Sequence, residues 1–179
     1  MMETVVVRDN REAAQAAQRF RQVGEGRVWL ISSEPSAVYG DPRYLSLSDC
    51  RRLGVFTWKA DHVAGCIVSA PGDLNVAEYS PEESDLGPRL LRTLAAHLND
   101  TEIDGNDLLL KGKKVASWAS MRCRGLTQTT AHVSLGLDPG LIEAICRKEQ
   151  KKLPGILPGV HAETIIEWMG EEADSNEHF

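Results

Sequence analysis

Long apolar runs, a secretory leader, patterned cysteines and an excess of basic residues are all missing from this sequence, and each absence closes a class of function. No apolar run approaches the ~18 residues that a bilayer-crossing helix needs. The stretch Met1-Met2-Glu3-Thr4-Val5-Val6-Val7-Arg8-Asp9 has no basic start ahead of an apolar run, so it does not read as a secretory signal. Cys50, Cys66, Cys123 and Cys146 include no C-x-x-C spacing, which signals neither a disulfide framework nor a zinc site. A reducing cytoplasm is the expected home. Twenty Lys and Arg against 26 Asp and Glu leave a net charge of −6. That balance argues against the wide phosphate contact of sequence-independent nucleic-acid binding.

What is present is the profile of an ordinary folded chain: 179 residues, 42% apolar and 26% charged. One domain is expected over residues 1–170, with an acidic, disordered tail over 171–179. A chain of this length buries a little under ~70% of its unfolded surface and needs no metal or disulfide to hold a core.

Thr4 to Arg8 is a β-branched strand candidate. Asp9-Asn10-Arg11-Glu12 has the form of a capping box, and Ala13, Ala16, Ala17 and Phe20 follow at helical spacing, which predicts a helix over 10–22. Strands are predicted over Arg27–Ser32, Ser36–Tyr39, Val55–Trp58, Ala64–Ala70 and Leu74–Tyr79, with a short helix from Leu45 to Gly54. Ser80-Pro81-Glu82-Glu83 reads as a helix start, Gly87-Pro88 as an interruption, and Leu90, Leu91, Leu94 and Leu98 as an apolar helical stripe. Asp107–Leu110 and Lys113–Ala119 form a predicted hairpin, followed by a strand over Thr127–Leu137. Helices are predicted over Asp138–Arg147 and 161–170. The fold class is α+β, with a mixed, largely antiparallel sheet and packed helices.

Three segments can carry chemistry. Gly65-Cys66-Ile67-Val68-Ser69-Ala70-Pro71-Gly72-Asp73-Leu74 sets small residues around a strand and a tight turn, where backbone can approach a ligand closely. Asn106-Asp107-Leu108-Leu109-Leu110-Lys111-Gly112-Lys113-Lys114-Val115-Ala116 anchors a strand with three leucines, reverses it, and sets Lys114 at a defined place on the return strand. A lysine there can offer positive charge to a phosphate or carboxylate. Lys152-Leu153-Pro154-Gly155-Ile156-Leu157-Pro158-Gly159-Val160 is a Pro- and Gly-rich loop. His132 falls in a predicted strand and reads as a core or edge histidine, and His62 can reach a ligand only if its loop lines a pocket. The four tryptophans are scattered and read as core or pocket walls.

Two further stretches precede these: the apolar strand Ser36-Ala37-Val38-Tyr39-Gly40 and the helix-to-strand step Cys50-Arg51-Arg52-Leu53-Gly54-Val55. Together and in order, the set resembles the cofactor-transferase family of lipoate–protein ligases, octanoyltransferases and biotin–protein ligases, over roughly residues 5–170. The most specific match is Asn106-Asp107-Leu108 followed by Gly112-Lys113-Lys114-Val115-Ala116, where residue types and spacing agree together. The resemblance implies a lipoate/biotin ligase-like catalytic domain acting on a small carboxylic acid of the lipoate or octanoate class. Such a ligase joins the acid to AMP, using ATP and Mg²⁺, and passes it to a lysine of a lipoyl- or biotinyl-carrier domain.

By the resemblance, Lys114 sits between carboxylate and α-phosphate and stabilises charge in both half-reactions. Asn106 and Asp107 orient the nucleotide, with Asp107 a candidate Mg²⁺ ligand. Gly65, Gly72 and Asp73 form the pocket edge. Where family ligases carry arginines and then glycines, this chain reads Trp58-Lys59-Ala60-Asp61-His62-Val63-Ala64-Gly65. Lys59 alone keeps positive charge there. That departure opens a second reading, a non-catalytic nucleotide- or acyl-binding member of the same fold. A third is an ATP-independent acyltransferase, although Pro154-Gly155 stands where such enzymes carry a nucleophilic cysteine, and Cys146 falls on a predicted helix.

Overall fold

The computed structural model describes residues 2–60, 66–136, 138–147 and 152–176. The chain opens with strand β1 (Thr4–Val7) and helix α1 (Asn10–Val23). Asp9 caps α1, its Oδ1 accepting from the N–H groups of Arg11 and Glu12 at 2.8 and 3.0 Å. These bonds satisfy donors that have no partner within the helix. Strands β2 (Gly26–Ile31) and β3 (Ser36–Tyr39), helix α2 (Leu47–Arg52), and strands β4 (Phe56–Lys59), β5 (Cys66–Ser69) and β6 (Leu74–Ser80) follow. Helix α3 (Leu86–His97) leads into strands β7 (Thr101–Asp104), β8 (Asp107–Leu110), β9 (Lys113–Cys123) and β10 (Leu126–Val133). Helices α4 (Pro139–Ile145) and α5 (Ala162–Asn176) complete the order.

Seven strands form one sheet in the order β1-β2-β6-β10-β9-β8-β7, and only β1 and β2 run parallel. A second sheet, β4-β3-β5, pairs β3 parallel to β4 and antiparallel to β5. The fold is the mixed, largely antiparallel α+β class that the sequence predicts. Alternation along β2 shows how the layers are built. Trp29 and Ile31 pack into the main core with Leu90, Leu94 and Ile165 of α3 and α5. Val28 and Leu30 turn the other way, onto Ala13 and Phe20 of α1. The small sheet packs its own cluster, Ala37, Cys50, Val55, Val68 and Ile145, against α2 and α4. Among the described residues no helix is long and apolar enough to cross a membrane.

Some expectations need correcting. The Ser80-Pro81 signature starts no helix, because the Ser80 hydroxyl accepts from the Glu82 N–H in a local turn. The helix begins at Leu86, whose N–H donates to the hydroxyl of Ser84. Gly87-Pro88 therefore lies in the first turn, where proline loses no helical hydrogen bond. Gly87 is needed for contact: a Cβ there would fall 2.2 Å from Cδ2 of Trp118. Strand β7 was not expected, since its Glu102 and Asp104 break any apolar alternation; it is the charged edge of the large sheet. Of the three leucines in β8 only Leu108 is fully buried. The strand predicted over Thr127–Leu137 stops at Val133, and α5 runs on to Asn176.

Candidate active site

A β-bulge places the lysine. Leu108 pairs with Ala116 and Leu109 with Lys114, so Val115 is the extra residue on β9. Val115 and Ala116 are both buried in the main core. Lys114 and Ser117, three residues apart, would point to opposite faces of a regular strand. With the bulge between them, both line one cavity of about 110 Å³. Its facing wall is Cys66, Ile67 and Val68 of β5, and Ile142, Cys146 and Pro154 close it.

The Lys114 backbone is held on a second side as well. Its N–H donates to the carbonyl of Leu153, and its own carbonyl accepts from the N–H of Gly155, both at 2.9 Å. The Pro- and Gly-rich loop thus adds a strand-like segment at the point where the lysine projects. Lys114 is half-buried, and among the described residues no carboxylate lies within ion-pair distance of it. Lys152 is the contrast, with its ammonium 2.7 Å from Asp107 and 3.0 Å from Asp104. The hydrogen bond that it donates to Asp107, supplemented by the one to Asp104, holds that ammonium above the usual lysine range.

Asp73 organises the cavity from behind. It is fully buried. Its Oδ1 accepts from the N–H groups of Leu135 and Gly136 at 2.7 and 2.8 Å, and its Oδ2 from Ala70 N–H at 3.0 Å. His132 Nε2 lies 3.0 Å from Oδ2, and an ionised carboxylate there selects the tautomer with the proton on Nε2. Burial works to raise the Asp73 pKa, but the hydrogen bond and charge of His132 and the N–H donors outweigh it, so the carboxyl stays below the ordinary value. Gly136 must be glycine for this turn to close, because a Cβ would meet the Pro71 carbonyl at 2.1 Å. Both His132 and Ser134 line the Lys114 cavity. Asp73 therefore holds one wall residue, His132, and the turn that follows another, Ser134, without lining the cavity.

The other residues singled out from sequence fall as follows. Gly72 lies on a separate groove with Ser32 and Pro158, not at the Lys114 cavity. Asn106 is exposed in the β7–β8 turn, and its carbonyl accepts from the Trp118 N–H at 3.0 Å. Asp107 pairs across the sheet with Ser117, but its carboxylate is engaged by Lys152. No group of three or more His, Cys, Asp or Glu side chains suited to a metal ion occurs among the described residues. One carboxylate already neutralised by an ammonium does not fit a protein-held Mg²⁺. Lys59 ends β4, exposed and opposite Tyr39. Gly65 and His62 lie outside the described residues.

Sequence reasoning missed part of the lining. Cys146, on the end of α4, brings its Sγ to 3.4 Å from that of Cys66. The Cys66 contact and burial push the Cys146 thiol above the ordinary range. His132 and Ser117 are cross-strand partners. A signal for them existed: in the central strand β10, polar Gln128, Thr130 and His132 alternate with apolar Ala131 and Val133. Polar residues at that period in an inner strand mark a face that meets something other than core.

Beside this cavity lies a second pocket of about 100 Å³, lined mainly by Ala13 and Ala17 of α1 and by Val28, Leu30, Val38, Trp58 and Ile67. Ile67 belongs to both walls. A cationic cavity and an apolar pocket therefore stand side by side, an arrangement suited to an amphiphilic acid.

No protein-family model and no curated protein matches the chain by sequence. Solved structures match in fold. LipL1 of P. falciparum, in complex with lipoate, superposes with a TM-score of 0.76 at 10% identity, covering 96% of this chain. This chain spans 60% of that protein's length. A bi-partite lipoate protein ligase of Thermoplasma acidophilum, described with its E2 lipoyl domain, gives 0.74 at 13% identity over 99% of this chain and 85% of that one. The biotin acetyl coenzyme A carboxylase synthetase of Helicobacter pylori, with bound biotinylated ATP, gives 0.51 at 12% identity over 98% and 75%. At these identities the likeness is one of fold: the chain has the architecture of lipoate- and biotin-protein ligase catalytic domains.

Proposed function

We propose that the protein activates a small aliphatic carboxylic acid with ATP and transfers the acyl group to a lysine amine on a carrier domain. The observation that supports this reading is Lys114 itself. It is a half-buried lysine on a bulged strand, without a carboxylate partner among the described residues, on a cavity that adjoins an apolar pocket.

In the first half-reaction a carboxylate oxygen attacks the α-phosphorus of ATP, the bond to the β-phosphate oxygen breaks, and pyrophosphate leaves. Two anions must approach, and a fixed ammonium lowers that repulsion more as the transition state is reached. In the second, a lysine amine attacks the acyl carbonyl, AMP leaves, and one proton is released. Lys114 then faces the oxygen on which negative charge grows. A salt-bridged lysine such as Lys152 cannot serve in this way without first giving up its carboxylates. The apolar pocket beyond Ile67 takes the chain of the acid, which favours the lipoate or octanoate class over a polar acid. The H. pylori protein's biotinylated ATP and the lipoyl domain described with the T. acidophilum ligase are consistent with these substrates.

The test is incubation with ATP and a panel of acids, read as pyrophosphate release and as a trapped acyl-adenylate. Turnover should fall roughly 10²–10³-fold in Lys114→Ala, the scale for removing one preorganised charge-stabilising group. Absence of pyrophosphate with every acid, in a protein that still binds one of them, would leave a binding module in place of an enzyme.

A second reading has its own observation, the two thiols on the same cavity. An acyl-thioester donor could transfer its acyl group to one of them without ATP. The raised pKa of Cys146 counts against that sulfur as the nucleophile. Intact-mass measurement after exposure to an acyl-thioester decides between the routes.

A further inference from the structure

The cavity that holds Lys114 carries two sulfurs that adenylation does not use. Cys66 Sγ and Cys146 Sγ lie 3.4 Å apart, and both residues line the cavity. Their backbones are pinned against one segment. Cys66 sits on β5 opposite Tyr39, and its Sγ lies 3.7 Å from the Tyr44 carbonyl. Cys146 bridges Leu45, while Ser46 N–H donates to the Ile145 carbonyl and Arg147 N–H to that of Tyr44. This pairing sets the two residues side by side in the reduced protein. The residues are 80 positions apart in sequence, so their contact belongs to the folded state.

We propose that Cys66 and Cys146 are a peroxide-sensitive thiol pair whose disulfide closes the Lys114 cavity to its acid. This rests on the reading of that cavity as the acid site and adds its regulation. The oxidant is hydrogen peroxide. The Cys66 sulfur attacks one peroxide oxygen, the O–O bond breaks, and Cys66 sulfenic acid forms with loss of one water. The Cys146 sulfur then displaces the hydroxyl from Cys66, the S–S bond forms, and a second water leaves with the Cys146 proton. Two thiols and one hydrogen peroxide thus give one disulfide and two waters. Cys146 is the resolving partner by position, its Sγ 3.4 Å from that of Cys66, and once Cys66 is the sulfenic acid the thiol contact that raises the Cys146 pKa is gone.

The consequence for the cavity is mechanical. A disulfide is about 2.05 Å long, so the two sulfurs, 3.4 Å apart as thiols, close by roughly 1.4 Å and tie β5 to the residue that follows α4. At about 110 Å³ the cavity is well below the ~300 Å³ of common small-molecule sites. Admitting an acid requires these two walls to part, and the bond removes that freedom.

The experiment treats the full chain with hydrogen peroxide, blocks residual thiols by alkylation, and maps peptides by mass. Binding of octanoate is measured calorimetrically before and after. A cross-linked pair of peptides bearing Cys66 and Cys146 is expected, reversible by dithiothreitol. Oxidised protein should bind octanoate about tenfold or more weakly, a change of ~1.4 kcal/mol. Cys66→Ser and Cys146→Ser should each give no cross-linked peptide pair, and neither should show a loss of binding that dithiothreitol reverses by cleaving one, whatever affinity each has when reduced. Oxidation to sulfinic or sulfonic acid without a cross-link overturns the proposal, as does a cross-link that leaves binding unchanged. If the reduced protein binds no acid, the ligase reading fails separately. The rate at which acetic anhydride labels Lys114 then reads the closure, slower labelling after oxidation supporting it and an equal rate overturning it.

Discussion

Asp73 is the sharpest place to perturb the architecture of the site without touching the lysine. Its carboxylate is fully buried and receives three backbone N–H bonds and one from His132. Asp73→Ala strands four donors at once. An unsatisfied buried donor costs about 1–3 kcal/mol, and water entering the vacated space recovers part of that. The expected loss is about 4–6 kcal/mol, a large share of a typical total of 5–15 kcal/mol. For a chain of this size that corresponds to a fall in Tm of roughly 10–20 °C. Asp73→Asn is the milder test. One oxygen can still accept from Leu135 and Gly136, but its amide nitrogen meets the Ala70 N–H and His132 as donor against donor. A loss of about 2–3 kcal/mol is expected.

The pH dependence of Asp73 has a definite sign. Its folded pKa is below the ordinary 3.8. Its contribution is therefore complete above about pH 4 and is lost as the pH falls through the folded value. Urea unfolding of parent and Asn variant between pH 2.5 and 7 should show the parent losing its advantage at the acid end. A difference below about 1 kcal/mol at neutral pH, or one that grows on acidification, would contradict this role for Asp73.

Other consequences are simpler to state. Gly87→Ala sets a methyl against the Trp118 ring and should cost about 1–3 kcal/mol by overpacking, read as a lower urea midpoint with an unchanged slope. Lys152→Ala removes two partly exposed ion pairs, to Asp104 and Asp107, and should change stability by about 1 kcal/mol or less; circular-dichroism melts check it. Leu90→Ala, at a fully buried position between α3 and the sheet, should cost about 2–5 kcal/mol, measured in the same way.

The sequence exposes the parts of this fold that rest on local chemistry. Asp9 and the spacing of Ala13, Ala16, Ala17 and Phe20 mark α1 within a residue at each end, and β3 falls where its β-strand residues place it. The β8–β9 hairpin and Lys114 on its return strand are visible for the same reason. The missing parts depend on partners distant in the chain. A bulge is set by how Val115 and Ala116 both find core, and nothing in Lys113-Lys114-Val115-Ala116-Ser117 announces it. Asp73 reads as a turn residue in Pro71-Gly72-Asp73, yet three of its four donors come from beyond residue 130. Cys146 looks inert on a helix until the fold brings β5 against it.

The most direct measurement is a crystal structure of the reduced protein with octanoate and a non-hydrolysable ATP analogue. The carboxylate should lie within hydrogen-bond distance of Lys114 Nζ and the alkyl chain beyond Ile67, in the pocket against α1. Octanoate seated elsewhere, with its carboxylate on other cations and this cavity filled only by water, would contradict this assignment of the acid site.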